Sequence, residues 1–209
     1  MPEQSKYILA KTLSGIFHPL LLPAYLSFGL LFLPRFAFGV ASAMRWQVMT
    51  IVILTFVILP VSILYFLEKY GKISSIQLTE RRERFFPMFL VAISYIIGLR
   101  LLHIIHAPGT LIMLMQGVCL SIIFVALVSI VWKISAHTTA SGGALGIVIL
   151  LSIIYRTDFS SLAAFITLFA GAVGWSRLYL NHHTRKQVNY GFMAGFSTMI
   201  ISFLLHAIL

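Results

Sequence analysis

The chain has 209 residues and a formal net charge of +10, and 60% of its residues are hydrophobic whereas only 10% are charged. A soluble domain carries about a quarter charged residues, so this composition excludes an ordinary soluble protein and predicts an integral membrane protein. In a membrane protein, we assign the excess positive charge to lipid headgroups, cytoplasmic loops or a phosphorylated ligand rather than to nucleic acid.

Seven apolar runs approach the length that crosses a bilayer as a helix, which is about 20 residues. They lie near 13–34, 47–67, 87–105, 110–132, 139–155, 161–180 and 188–209. Because strand-like alternation is absent and lipid offers no partners for backbone polar groups, the runs predict an all-α, polytopic transmembrane helix bundle. The fifth run is short, so we predict seven spans, with six as the alternative, in one integral membrane domain over residues 1–209.

The polar breaks between the runs alternate in charge. The basic breaks are 68–86, 133–138 and 181–187. The breaks with little charge are 35–46, 106–109 and 156–160. If every run crosses once, the basic breaks share one side of the membrane with the N-terminus, and the positive-inside rule makes that side cytoplasmic. Charges that build an anion site would produce the same asymmetry. We expect a multi-pass protein of the cell inner membrane.

The first basic break contains the stretch QLTERRERFFP, which begins at Gln77 and ends at Pro87. Its arginines, Arg81, Arg82 and Arg84, precede an apolar run, where basic residues commonly anchor a helix to anionic lipid. We favour this anchoring role for the stretch taken alone, and the alternative is a phosphate-binding site, because arginine presents planar paired donors that fit phosphate.

The second basic break leads into the stretch WKISAHTTASGGALG. Lys133, Ser135 and His137 precede small residues that open the next helix, and the N–H groups and positive dipole end of a helix start favour an anion. The Ser135 hydroxyl can donate to a phosphate oxygen or, alternatively, cap the helix. His137 can exchange a proton with the same ligand.

The third basic break belongs to the stretch SRLYLNHHTRKQVNYG, in which Ser176 and Arg177 lie near the end of the sixth run. His183 and Gln187 are four residues apart, so on a helix they share one face. A nucleophilic histidine needs one free ring nitrogen and a partner that orients the other, which an amide at this spacing can supply. The alternative is an interfacial basic loop whose histidines are merely hydrogen-bonded.

Together the three breaks provide the groups that phosphoryl transfer to histidine and subsequent hydrolysis require. The acidic residues form no cluster in the sequence that would hold a metal: they are Glu3, Glu68, Glu80, Glu83 and Asp158. We therefore expect neither a metal nor a cofactor.

The three stretches resemble the motifs of the type 2 phosphatidic acid phosphatase (PAP2) superfamily, which are K-x6-R-P, P-S-G-H and S-R-x5-H-x3-D. In the third motif, Ser176 and Arg177 are followed by five residues and then by His183. Gln187 stands where aspartate is usual. The second motif appears as ISAH, which ends at His137 and keeps the serine and the histidine.

The first motif matches in part. Arg84 would be its arginine, with Pro87 as the nearest proline, three positions later rather than next to it. Gln77 stands where lysine is usual, so Arg81 or Arg82 is the candidate substitute.

The resemblance covers about residues 77–195 and implies a PAP2-like core with a phosphohistidine intermediate. It implies that His183 attacks phosphorus, that His137 protonates the leaving oxygen, and that Gln187 orients the nucleophile. It further implies that the phosphate is bound by Arg84, Arg81, Lys133, Ser135, Ser176 and Arg177.

The form SR-x-YL-x-x-HT-x-x-Q is also similar to dolichyl-diphosphate phosphatases, which carry glutamine at the last position. We therefore expect a metal-independent lipid phosphatase that favours polyprenyl diphosphate, with phosphatidic acid and phosphatidylglycerophosphate as other candidate substrates. The alternative is a PAP2-like protein without catalysis that binds or moves a lipid phosphate. The sequence leaves the oligomeric state open.

Overall fold

The computed structural model describes residues 3–33 and 40–208, without the side chain of Ala207. Positions 34–39 and 209 lie outside the described residues; they belong to the predicted runs 13–34 and 188–209 and to the predicted break 35–46. Within the described ranges the chain forms α1 (Glu3–Ile16), α2 (Leu22–Phe32), α3 (Ser42–Val52), α4 (Leu59–Lys69), α5 (Phe85–Ile104), α6 (Gly109–Val131), α7 (Ala136–Tyr155), α8 (Ser160–Tyr179) and α9 (Arg185–Ile208).

Six helical segments of the described residues are long and apolar enough to cross a membrane, which confirms the predicted all-α membrane bundle. The first segment, Ser42–Lys69, combines α3 and α4 through a π-helical turn at Ile53–Ile58. Pro60 explains this turn, because proline lacks an N–H and its ring clashes with the carbonyl four residues earlier. The other segments are Arg81–Ile104, Gly109–Val131, Ala136–Tyr155, Ser160–Tyr179 and Arg185–His206.

The described residues contain six helices of membrane length rather than seven, because the run 13–34 does not form one helix. α1 ends at Ile16 and α2 begins at Leu22. Pro19 lies in the intervening turn, where it cannot donate a helical hydrogen bond and disfavours a helical conformation of the preceding residue. α2 has only 11 residues, too few to cross a bilayer by itself.

α7 and α9 pack so closely that glycine is required at their crossing. A Cβ atom on Gly195 would lie 1.7 Å from the carbonyl oxygen of Thr139. The same pair of helices is joined near its polar end, where the Thr138 hydroxyl donates to the Val188 carbonyl at 2.9 Å. The Ser135 N–H donates to the Gln187 carbonyl at 3.3 Å. This packing places the start of α7 beside the start of α9.

α1 packs against α8 and brings the N-terminal segment to the same end of the bundle. The Tyr179 hydroxyl donates to the Glu3 carboxylate at 2.8 Å, and the rings of Phe17 and Phe169 have centroids 4.8 Å apart. Ser14 is buried on the inner face of α1. The end of α1 therefore reaches the ends of α7 and α8 that carry the basic breaks.

Candidate functional site

The three basic breaks meet at one cavity. It contains about 1110 Å³ of empty space, including its open mouth. Its basic and titratable lining is His18, Arg84, Lys133, His137, Arg177, His182 and His183. Its apolar lining continues between the helices and includes Met88, Val91, Tyr95, Val118, Ile122 and Ala144. Among the described residues, no aspartate or glutamate lines the cavity, so its polar end is strongly positive.

Two buried arginines form the positive end. Arg84 is 3% exposed, and its Nη1 donates to the Ile134 carbonyl at 2.7 Å. Arg177 is 7% exposed, its Nη1 donates to the Ser14 hydroxyl at 2.5 Å, and its Nη2 donates to Nδ1 of His182 at 2.6 Å. In both side chains the Nε–H is buried and has no hydrogen-bond partner in the described part of the protein. Both arginines line the cavity with no carboxylate among its described lining residues, so their positive charge favours an anion there.

Gln187 orients His183 and caps α9 at the same time. Nδ1 of His183 lies 3.2 Å from the Gln187 amide oxygen, which also accepts from the Thr184 N–H at 3.1 Å. The Gln187 N–H in turn donates to the Thr184 hydroxyl at 3.4 Å. This reciprocal pair is a capping box. Because the amide oxygen can only accept, Nδ1 of His183 carries the proton and its Nε2 keeps a lone pair.

The cavity keeps His183 neutral. Burial lowers the pKa of His183 to about 3, and the positive charges of Arg84, Arg177 and Lys133 act in the same direction. The hydrogen bond to Gln187 opposes these effects only partly. A neutral imidazole with a free Nε2 is the form that can act as a nucleophile.

Ser14 and His18 of the N-terminal segment contact the His137 ring. Its Nε2 lies 3.1 Å from the Ser14 carbonyl oxygen, which can only accept, so Nε2 is the donor. The ring of His18 stands perpendicular to the His137 ring, with centroids 5.2 Å apart. Nδ1 of His137 is therefore the nitrogen available for proton transfer to a ligand.

Three predicted phosphate ligands do not line the cavity. The Arg81 guanidinium donates instead to the Ile130 carbonyl near the end of α6. The Ser135 hydroxyl accepts from the Thr138 N–H at 3.4 Å, so it caps α7, as the alternative interpretation stated. The Ser176 hydroxyl donates to the Val173 carbonyl of its own helix at 2.7 Å. In each case a nearby backbone group offers the side chain a local partner.

The cavity also contains residues that the sequence analysis did not select. His182 accepts from Arg177 and fixes its guanidinium. Ser14 binds both Arg177 and His137 from more than 120 positions away in the chain, and no local pattern marks it. His18 could have been selected from the sequence, because it is an ionisable residue next to a proline inside an apolar run.

The comparisons with known proteins agree with the resemblance noted from the sequence. The family model of the PAP2 superfamily matches residues 131–208. This range contains Lys133, His137, Arg177, His183 and Gln187. No curated protein and no solved structure matches the chain. The segment 131–208 is therefore similar to the PAP2 superfamily, whose members are phosphatases, and the remainder of the chain lies outside the match.

Proposed function

We propose that the protein is a phosphatase of the cell inner membrane that hydrolyses a phosphomonoester or diphosphate of a lipid. Polyprenyl diphosphate is the favoured substrate, because Gln187 stands where the similar dolichyl-diphosphate phosphatases carry glutamine. Phosphatidic acid and phosphatidylglycerophosphate are the other candidates. The observation that carries the proposal is that Arg84, Arg177 and His183 line the polar end of one cavity that has no carboxylate among its described lining residues and continues between apolar side chains.

The lining of the cavity supports a lipid rather than a small soluble phosphate ester. In our proposal Arg84, Arg177 and Lys133 bind the phosphate oxygens, while the start of α7 contributes its positive dipole end. From Arg84 to Tyr95 the cavity follows α5 over about 16 Å, at the rise of an α-helix. Apolar side chains line this stretch and suit part of a hydrocarbon chain.

The proposed reaction has two steps. In the first step, the Nε2 lone pair of His183 attacks phosphorus, the bond from phosphorus to the leaving oxygen breaks, and its electron pair stays on that oxygen. The protonated form of His137 donates its Nδ1 proton to this oxygen, which releases the dephosphorylated product. In the second step, water attacks the phosphohistidine, His137 accepts a proton from the water, and inorganic phosphate leaves as Nε2 regains its electron pair.

In this scheme the chain itself supplies each catalytic group. Among the described residues, no group of three or more histidine, cysteine, aspartate or glutamate side chains is arranged to hold a metal ion. We therefore propose that the reaction does not depend on a metal.

The test is phosphate release by the purified protein in detergent, with polyprenyl diphosphate and phosphatidic acid as substrates and a chelator present. Release should persist in the chelator and disappear in His183→Ala. The matched control is His103→Ala, because His103 is an exposed histidine of α5 that bonds to the Leu99 carbonyl away from the cavity. Full turnover by His183→Ala would show that another residue is the nucleophile.

The second candidate function is binding or movement of a lipid phosphate without catalysis. It is favoured by the uncharged Gln187, which stabilises an imidazolium less than a carboxylate would. Binding of the lipid phosphate by a protein that releases no phosphate under any of these conditions would support this second candidate.

A further inference from the structure

His18 lies in the cavity although it is outside the segment that matches the PAP2 superfamily. It lines the same cavity as Arg177, His137 and His183. Its ring contacts the His137 ring edge to face, with centroids 5.2 Å apart. A phosphate group that reaches His137 is thus also close to His18.

Hydrogen bonds before and within the turn that carries His18 hold this turn in place. Before the turn, Ser14 accepts hydrogen bonds from Arg177 and His137. Within the turn, the Leu21 N–H donates to the His18 carbonyl at 2.9 Å, and Pro19 prevents α1 from continuing. These contacts hold the segment that carries the His18 ring against α7 and α8.

The hydrogen bonding of His18 leaves one donor for a ligand. Its Nδ1 accepts from the Leu20 N–H at 3.3 Å, so the proton of the neutral ring is on Nε2. No other described residue hydrogen-bonds to this ring. Burial and the charge of Arg177 lower the pKa of His18, which favours the neutral form with its single N–H.

We propose that His18 is a further residue of the reaction centre, whose Nε2–H donates a hydrogen bond to an oxygen of the transferred phosphoryl group. This inference rests on the proposed phosphatase function and adds an N-terminal residue to it. The His18 ring is neutral, and its hydrogen bond to the phosphoryl oxygen strengthens as negative charge develops on the equatorial oxygens in the transition state. His18 therefore contributes to turnover more than to binding of the substrate.

The test compares His18→Ala, His18→Gln and the control His103→Ala in phosphate release from polyprenyl diphosphate. Loss of one such donor should lower kcat on the order of 10²-fold in His18→Ala, with little change in KM. His18→Gln should regain much of the activity, because its amide N–H can occupy the position of Nε2. Wild-type kcat in His18→Ala would overturn the inference. So would equal inactivity of the alanine and glutamine variants with unchanged thermal unfolding.

Binding of orthovanadate to the same proteins separates this inference from the proposed function. Vanadate adopts the five-coordinate geometry of phosphoryl transfer, so its affinity reports the contacts made in that geometry. We expect His18→Ala to bind vanadate about tenfold more weakly than wild type, and His18→Gln to bind it nearly as well. Equal vanadate affinity of all variants would overturn the role of His18. Absence of turnover by the wild type would overturn only the phosphatase function.

Discussion

Gln187 combines a structural role with a proposed chemical role in one side chain. Its amide oxygen accepts from the Thr184 N–H and also contacts Nδ1 of His183. The first contact completes the capping box of α9, and the second selects the tautomer of the proposed nucleophile. The sequence TRKQ contains the spacing of a capping box, so both roles follow from one pattern.

The two roles can be separated by substituting each half of the box. Gln187→Ala removes the partner of His183, so we expect turnover to fall while the affinity for the lipid phosphate remains. Thr184→Ala removes only a helix cap, which is typically worth ~0.5–2 kcal/mol, and should retain turnover. Phosphate release and thermal unfolding in detergent measure these effects. An equal loss of turnover in both variants would mean that Gln187 acts through the cap alone.

Single residues also mark the limit of what the sequence predicts in the site. Arg84, His137 and His183 were predicted to share one site, and they line one cavity because a helix end carries each of them. Ser135 and Ser176 do not line it, since a hydroxyl near a helical backbone finds an acceptor or donor within its own turn. The choice between such a local bond and a ligand depends on a rotamer, which residue spacing does not determine.

At the level of helices, α7 and α9 form the framework of the site. α7 carries His137, and the residues just before α9 include His183, so their relative placement sets the distance between the two imidazoles. Gly142 and Gly195 permit this placement, because a Cβ on either residue would overlap a carbonyl oxygen of the partner helix. Close helix approach through small residues is common in membrane bundles.

Gly195→Ala should therefore impair both stability and turnover. Its Cβ would lie 1.7 Å from the Thr139 carbonyl oxygen, so α7 and α9 would have to separate. Overpacking of this kind commonly costs ~1–3 kcal/mol. Gly171→Ala is the control, since nothing lies within 4 Å of its Cβ and alanine favours a helix interior. We expect a lower unfolding temperature and less phosphate release for Gly195→Ala alone. Wild-type behaviour of that variant would contradict the close approach.

The helices themselves were largely predictable, because an apolar run of about 20 residues has few alternatives in lipid. α5, α6 and α8 begin and end within two residues of the predicted runs. The prediction of a single helix over the run 13–34 is wrong, because Pro19 lies in a turn that divides the run into two helices. The contribution of α1 to the site could not be predicted, because its contacts depend on packing between segments far apart in sequence.

Across the whole molecule, the two sides of the membrane carry unequal numbers of basic residues even when the residues that line the cavity are not counted. Arg84, Lys133 and Arg177 line the cavity and cannot serve as independent evidence of sidedness. The remaining basic residues on that side are Lys6, Lys11, Lys69, Lys72, Arg81, Arg82, Arg185 and Lys186. The described basic residues of the opposite side are Arg45, Arg100 and Arg156. The imbalance therefore does not arise from the anion site alone, and the positive-inside rule predicts a cytoplasmic site.

This orientation can be tested with single cysteines, because the native Cys119 is buried within α6. Tyr70 is 70% exposed at the end of α4 on the basic side, and Thr157 is exposed in the opposite break. In intact cells a membrane-impermeant maleimide should label Thr157→Cys and should reach Tyr70→Cys only after lysis. The unsubstituted protein is the control for labelling of Cys119. Labelling of Tyr70→Cys in intact cells would place the cavity outside the cytoplasm. The surrounding lysines and arginines would then attract anionic substrate or lipid without retaining loops inside the cell.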